Sequence, residues 1–151
     1  MPTTKAAELD PGQIAGVTAL AAEMRAQGIG RDEPVREVPA LLGDRWTTLI
    51  LLVLATGTWR HAELRRTLSE LSAEGRISQR VLTLKLRALA RNGFVMREAT
   101  EDVPPRVSYM LTPLGLGLMA EARRLIDWVA AHRAEIDAAR ARASLRSWAE
   151  D

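Results

Sequence analysis

A basic segment without acidic residues places the strongest constraint on how this chain folds. The segment Arg76–Arg97 holds six Arg or Lys residues and no Asp or Glu. Within it, Leu82, Leu86 and Leu89 recur at helical spacing, so at about 100° per residue they share one side of a helix. The segment therefore predicts a helix from about residue 78 to residue 92 that buries leucines on one side and presents basic side chains on the other.

The distribution of charge allows two interpretations of this segment. Residues 60–110 hold ten basic and six acidic residues, whereas residues 1–59 hold five and seven. A charge run of this kind is most often a solvated helix surface. An acid-free basic stretch is also typical of a surface that binds a polyanion such as DNA. The segment alone leaves both interpretations open.

The residues opposite the leucines favour the second interpretation. An arginine near the start of such a helix can donate two hydrogen bonds to O6 and N7 of guanine, and a helix N-terminus attracts phosphate. Leu84 lies on the same side, where it would contact a thymine methyl group or pack on a neighbour, and Lys85 points to the flank of the buried side. The predicted DNA contacts of this helix are Ser78, Gln79, Arg80, Thr83, Arg87 and Arg91.

The segments before this helix predict four further helices and one extended piece. Apolar spacing and a first-turn proline predict a helix over residues 11–27, followed by a linker. A short helix and a second one from about Arg45 follow, and Asp44 between them is expected to act as a helix cap. An extended piece at residues 58–60 then leads into a helix that begins near His61.

The segments after the basic helix predict a hairpin and a long helix. Residues 94–99 and 106–111 have strand character, and the acidic, proline-containing loop between them forms an extended tip. Thr112 and Pro113 are a strong helix start, and the apolar spacing then continues to about Ala143. We therefore expect one continuous helix over this stretch.

This order of elements predicts a fold that is mainly α (α+β). It is a winged helix-turn-helix with a two-stranded wing, plus N-terminal and C-terminal dimerisation helices. Arg97 and Arg106 flank the loop of the hairpin and are predicted to contact DNA as part of the wing. Glu101 and Asp102 in the loop would repel DNA, so a solvent-exposed Arg106 stays an alternative.

The length of the last helix predicts a second subunit. A helix from Pro113 to Ala143 is about 46 Å long at ~1.5 Å per residue, whereas a compact body of this size is about 35 Å across. The apolar stripe that continues past the body has to be buried against a second chain, and a symmetric homodimer is the commonest arrangement that does so. The predicted dimer interface comprises Ile14, Val17, Met24, Leu118, Leu125, Trp128, Val129 and His132.

The sequence lacks the residues that metal binding, cofactor binding and catalysis require. The chain has no cysteine and only two histidines, far apart, so we expect neither a metal site nor a cofactor. Residues 115–120 match a glycine-rich nucleotide pattern, but they lie inside a predicted helix, so Gly115 and Gly117 are interpreted as sites of close helix packing. No nucleophile and base can be paired, and we expect no enzyme.

Four motifs occur in a distinctive order: Leu42–Trp46, Arg60–Arg66, Ile77–Thr83 with Leu86 and Arg87, and Val103–Tyr109 followed by Leu111–Gly115. With these motifs the sequence resembles the HxlR-type winged-helix regulators of bacteria, from about Glu33 to Ala130. The resemblance implies a homodimeric, DNA-binding transcription factor whose terminal helices form the dimer and whose helix from Ser78 and wing at Arg106 contact the operator. Many members carry a cysteine before a Pro-Val pair and use it to sense oxidants, whereas Glu33 stands there in this chain.

These observations predict a sequence-specific transcriptional regulator, a homodimeric repressor that binds a pseudo-palindromic operator. The predicted parts are an N-terminal extension (1–32), a DNA-binding domain (33–112) and a C-terminal dimerisation helix with its tail (113–151). We expect a cytoplasmic protein because no secretory signal or membrane-spanning stretch is visible. One alternative is a regulator with a small hydrophobic or aromatic effector near the dimer interface, in a pocket between Trp46 and Trp128. Another is a protein-interaction module that does not bind DNA.

Overall fold

The computed structural model describes residues 8–150, with side chains described for residues 8–147. The chain divides into two compact units between Gly43 and Asp44. The first unit contains helices α1 (Pro11–Gln27) and α2 (Pro34–Leu42). Asp10 begins α1 with a capping box, since its carboxylate accepts the N–H of Gln13 while the Gln13 side chain accepts the N–H of Asp10. The predicted helix over residues 11–27 is confirmed.

The second unit combines three helices and three strands, which form the winged helix-turn-helix, with two C-terminal helices. The strands form one antiparallel sheet in the order β1-β3-β2, in which Val95 pairs with Leu111 and Trp59 with Tyr109. The predicted hairpin and the winged helix-turn-helix order are confirmed, and β1 adds a third strand to the predicted two. The elements are α3 (Thr47–Leu54), β1 (Trp59–Arg60), α4 (His61–Leu71), α5 (Gln79–Arg91), β2 (Val95–Ala99), β3 (Val107–Leu111), α6 (Pro113–Ala131) and α7 (Arg133–Glu150).

The core of this unit lies between α3, α4 and α5. Leu82, Leu86 and Leu89 on one side of α5 are each at most 1% exposed, as their spacing predicts. Removing each such side chain from water stabilises the fold by about 1.5–3 kcal/mol. The partners that complete this apolar layer are Ile50, Leu51 and Leu54 of α3 and Leu64 and Leu68 of α4.

An ion pair on the flank of the core connects α5 to the start of α3. Lys85 Nζ binds the Asp44 carboxylate, which also accepts the backbone N–H of Trp46 at 3.0 Å. Partial burial raises the pKa of Asp44, but the Lys85 and Trp46 donors outweigh it and hold that pKa below its ordinary value. Lys85 thus lies on the predicted flank. The cap position of α3 is occupied by Trp46 and not by Asp44, and Asp44 instead accepts the N–H of that cap residue.

The two glycines of the nucleotide-like pattern differ in their surroundings. A Cβ atom on Gly115 would lie 2.0 Å from the backbone oxygen of Phe94, so only glycine allows α6 to approach this closely. A Cβ on Gly117 would meet no atom within 4 Å. The expectation of close packing is therefore correct for Gly115 and wrong for Gly117.

The predicted single C-terminal helix is wrong, because α6 ends at Ala131 and α7 begins at Arg133. Between them His132 leaves helical geometry at φ −106° and ψ 10°, and its N–H is shared between the oxygens of Trp128 and Val129. Its ring also competes for the helix carbonyls, since Nδ1 donates to the Trp128 oxygen at 2.7 Å. Among the described residues, no helix is long and apolar enough to cross a membrane.

The ion pair at Asp44 predicts an acid-dependent contribution to stability. Because the pKa of Asp44 in the fold lies below its ordinary value of 3.8, the ionised carboxylate stabilises the fold above that pH and the contribution is lost as pH falls through the folded-state pKa. We expect Asp44→Asn to lower the free energy of unfolding by about 1–2 kcal/mol at pH 7. Urea unfolding should show the full difference at pH 7 and a smaller one at pH 3, below the ordinary pKa of the carboxyl. A difference of equal size at both pH values would contradict a role for the charge.

Candidate nucleic-acid interface

The solvent side of α5 carries the basic residues that its sequence predicts. Arg80, Arg87 and Arg91 are exposed, and Leu84 between them is 52% exposed. Ser78 caps the helix, with its hydroxyl oxygen accepting the N–H of Val81 at 3.1 Å. The predicted leucine and arginine sides of this helix are thereby confirmed, and Leu84 lies on the solvent side.

Side chains of α4 hold the turn before α5. The side chain of Ile77 is 2% exposed. Its backbone groups are both bound, because Ser69 Oγ accepts the N–H at 3.2 Å and Arg65 Nε donates to the oxygen at 3.2 Å. These bonds fix the backbone immediately before α5, and Ser78 and Gln79 at the start of the helix are exposed.

Thr83 has a more limited role in the structure than its place in the sequence indicates. Its side chain is half-buried, and its hydroxyl donates to the Gln79 oxygen at 2.8 Å. The same hydroxyl lies 3.1 Å from His61 Nε2. Thr83 therefore connects α4 to α5 and has one lone pair left for a base.

Several arginines on and around α5 have no carboxylate partner within residues 8–147, a property that they share with other exposed arginines such as Arg25, Arg123 and Arg140. Ion pairs occupy Arg45, Arg124 and Arg133, with their carboxylate partners at 2.8, 3.5 and 3.5 Å. Within residues 8–147, by contrast, Arg80 and Arg87 have no carboxylate partner, and the same holds for Arg65, Arg66, Arg76 and Arg97. An unpaired guanidinium can bind phosphate without first giving up another anion.

A groove of about 710 Å³ lies between α4, α5 and the strands β2 and β3, and we call it the α4–α5 groove. Arg65, Arg87 and Arg97 contribute its positive charge, and none of its lining residues is Asp or Glu. Its apolar part comes from Leu86, Ala90, Val107 and Tyr109. The groove shares Gln79, Thr83 and Arg87 with the solvent side of α5, so the two form one continuous basic surface.

His61 lies in this groove at the start of α4. Its ring is tilted by 58° to that of Tyr109, with 6.1 Å between the ring centres. Burial lowers the pKa of His61 below its ordinary value, and the positive charge of Arg65 acts in the same direction. His61 is therefore neutral near pH 7.

The wing extends this surface on one side of the sheet and is partly neutralised at its tip. Arg97 pairs across the strands with Tyr109 and is exposed. Arg106 is also exposed, but its Nε lies 3.9 Å from a carboxylate oxygen of Asp102. Within the described residues Arg97 thus has no carboxylate partner, whereas Arg106 would have to exchange Asp102 for phosphate.

The helix α6 has one apolar stripe against its own unit and a second one exposed. Gly115 and Ala122 are buried, and Leu118 is half-buried at the border between the stripes. The members of the exposed stripe are Leu114, Leu125, Trp128 and Val129, each between 43% and 60% exposed. The predicted interface residues of α1 are also exposed in its own unit: Ile14 (52%), Val17 (58%) and Met24 (44%).

The predicted effector pocket between Trp46 and Trp128 stays a prediction. Trp46 is half-buried, whereas Trp128 is 56% exposed and stacks on His132 with ring centres 4.3 Å apart. The α4–α5 groove is lined by neither tryptophan. In the part of the chain that the structure describes, no group of three or more metal-ligating side chains is found.

Three residues of this surface were missed by sequence reasoning: His61, Arg65 and Tyr109. His61 and Arg65 are four residues apart, so they share one side of α4, and this spacing is the signal that could have found them. Tyr109 could not be assigned, because its place beside His61 depends on the pairing of β1 with β3.

The chain is similar to known transcriptional regulators along most of its length. Residues 41–137 match the HxlR-like helix-turn-helix family model. YtfH, an uncharacterized HTH-type transcriptional regulator of Escherichia coli (strain K12), is 39% identical over 107 residues, which are 71% of this chain and 80% of that protein. The structure of transcriptional regulator ytfH from Salmonella typhimurium is 35% identical, with a TM-score of 0.60 over 74% of this chain and 94% of that one. The reduced form of the redox regulator HypR is 31% identical, with a TM-score of 0.58 over 70% of this chain and 98% of that one.

Proposed function

The chain belongs to the HxlR-like helix-turn-helix family and is a DNA-binding transcriptional regulator, and on that premise we propose that it is a homodimeric repressor of a pseudo-palindromic operator. The observation that carries this proposal is the solvent side of α5, where Arg80 and Arg87 have no carboxylate partner among the described residues. A helix of this kind fits the major groove of DNA.

We assign base contacts and phosphate contacts to different residues of this surface. Arg80 and Arg87 read base edges from α5, and Thr83 supports them with its remaining lone pair. Phosphate contacts supply most of the affinity and fix the position of the helix. The proposed phosphate contacts are Ser78, Gln79, Arg91, Arg97 and Arg106.

The proposed homodimer places the exposed stripes of α1 and α6 against a second copy of the chain. Leu125, Trp128 and Val129 are too exposed to stabilise one subunit alone, and contiguous apolar surface of this kind is typical of interfaces. Two copies related by a twofold axis would bind two half-sites separated by about one helical turn or a multiple of it. Repression would then follow from blocking a promoter.

The remaining parts of the proposal concern enzymatic activity, cellular location and a bound effector. We propose that the protein is not an enzyme and that it acts in the bacterial cytoplasm, where its operator lies. As an alternative, we propose that the regulator binds a small hydrophobic or aromatic effector in a pocket near Trp46 and Trp128. HypR is named a redox regulator, but these 151 residues contain no cysteine, so a thiol switch is not open to them.

Arg87→Ala is expected to weaken specific DNA binding by about 1–3 kcal/mol and to relax one base position. Arg45→Ala is the matched control, since Arg45 is an exposed arginine already bound to Glu74. Titration of DNA selected by the wild-type protein from a random pool measures both variants. If the Arg87→Ala curve overlays the wild-type curve, the assignment of the reading side is wrong.

Leu84 is expected to contact a thymine methyl group, because that methyl is the apolar group that bases offer in the major groove. Replacing thymine by uracil in the selected DNA should weaken wild-type binding up to about fourfold per contacted methyl. Leu84→Ala should bind both DNAs equally, whereas Leu71→Ala, which alters an exposed leucine at the end of α4, should still distinguish them. Equal sensitivity of wild type and Leu84→Ala to uracil would refute this contact.

The dimer is tested by a charge in the exposed stripe of α6. Leu125→Glu should shift the protein from dimer to monomer at micromolar concentration, because a dimer interface would bury the new carboxylate. Deletion of residues 1–30 should weaken the dimer as well. Sedimentation equilibrium measures the mass, and Arg142→Glu on α7 controls for charge alone. An unchanged mass for both the Leu125→Glu and the deletion variant would contradict the proposed interface.

A further inference from the structure

The α4–α5 groove collects positive charge from three separate elements. Arg65 comes from α4, Arg87 from α5 and Arg97 from β2, and Tyr109 of β3 closes the side next to His61. None of these arginines has a carboxylate partner within the described part of the chain. Mutual repulsion of three guanidiniums in one groove favours an anion between them.

The hydrogen bonds around His61 show which ring nitrogen is able to take up a proton. The Thr83 hydroxyl gives its hydrogen to the Gln79 oxygen, so towards His61 Nε2 it acts as an acceptor. Nε2 therefore carries the hydrogen of the neutral ring, and Nδ1 is the free acceptor. Nδ1 has no hydrogen-bond partner among residues 8–147.

The surroundings keep this ring neutral as long as the groove contains no anion. Burial is the larger cause of the lowered pKa of His61, and the charge of Arg65 is the second. Arg87 and Arg97 line the same groove, whereas no carboxylate does. A bound phosphate would reverse this balance, because an opposite charge at close range favours the protonated ring.

We propose that the α4–α5 groove is a binding site for a phosphate of the DNA backbone, in which His61 becomes protonated and joins Arg65 and Arg97 as a third cationic ligand. This inference rests on the proposed function, since the phosphate is part of the operator. Protonation at Nδ1 leaves the bond from Nε2 to Thr83 intact, so α4 and α5 keep their relative positions. His61 would thereby add a phosphate contact that is absent from the sequence-based list.

Proton uptake on binding gives DNA affinity a defined pH dependence. The free protein holds His61 neutral and the complex holds it protonated, so each bound protomer takes up as much as one proton between the two pKa values. Affinity therefore rises as pH falls, by at most about tenfold per pH unit for each protomer. Above the pKa of His61 in the complex, the affinity no longer depends on this proton.

The first experiment measures affinity for the selected DNA between pH 6 and pH 8 at constant salt. Wild type should bind more tightly as the pH falls, and His61→Gln, whose amide can still donate to Thr83, should lose most of this dependence. His132→Gln is the matched control, because His132 is the only other histidine and belongs to the junction of α6 and α7. An unchanged pH dependence in His61→Gln would overturn the proposal.

The second experiment needs no variant. Nuclear magnetic resonance titration of the His61 ring gives its pKa in the free protein and in the DNA complex. The pKa of His61 should rise by at least one unit on DNA binding. A His61 pKa that is equal or lower in the complex would overturn the proposal.

A third arm identifies the anion and separates this inference from the proposed function. DNA in which backbone phosphates are replaced one at a time by neutral methylphosphonate should lose the pH dependence at one phosphate per half-site. If no neutral substitution changes it, the groove does not hold a backbone phosphate. Failure of the wild-type protein to bind any DNA selectively at pH 7.5 would contradict the proposed function itself, whereas specific binding without a His61-dependent pH profile would contradict this inference alone.

Discussion

Burial of one side of α5 determines the direction of every side chain on its other side. Leu82, Leu86 and Leu89 are enclosed by the apolar layer of α3 and α4, and a helix cannot rotate without exposing them to water. The ion pair between Lys85 and Asp44 fixes the flank of the same helix. Arg80 and Arg87 therefore point outward because the leucines are buried, and the basic surface of α5 is a consequence of core packing.

The absence of acidic residues gives the surface around α5 its positive potential. No Asp or Glu lies between Arg76 and Arg97 in the sequence, and no Asp or Glu lines the α4–α5 groove. Within the described residues Arg65, Arg80, Arg87 and Arg97 have no carboxylate partner, so their positive charge is not cancelled locally. At the wing tip Asp102 weakens the same effect for Arg106, and Arg97 is the stronger candidate for a phosphate contact.

Local patterns in the sequence were sufficient for most of the fold. Leucine spacing located α5, Pro11 and the glycine after residue 27 bounded α1, and the threonine and proline at 112–113 marked the start of α6. The break at His132 was not predicted, because it arises from a ring nitrogen that binds a helix carbonyl, and helical spacing carries no signal of this. The bond between His61 and Thr83 was also missed, since it joins residues 22 positions apart that only the tertiary fold brings together.

The central claim is that the solvent side of α5 is the surface that DNA covers. Hydroxyl-radical oxidation followed by mass spectrometry measures the exposure of individual side chains with and without the selected DNA. Leu84 and Leu71 are similarly exposed in the free chain, at 52% and 62%, and Leu71 lies outside both proposed interfaces, so it serves as the reference. The account predicts that DNA strongly reduces oxidation of Leu84 and leaves that of Leu71 unchanged. Oxidation of Leu84 that is the same with and without bound DNA would contradict it.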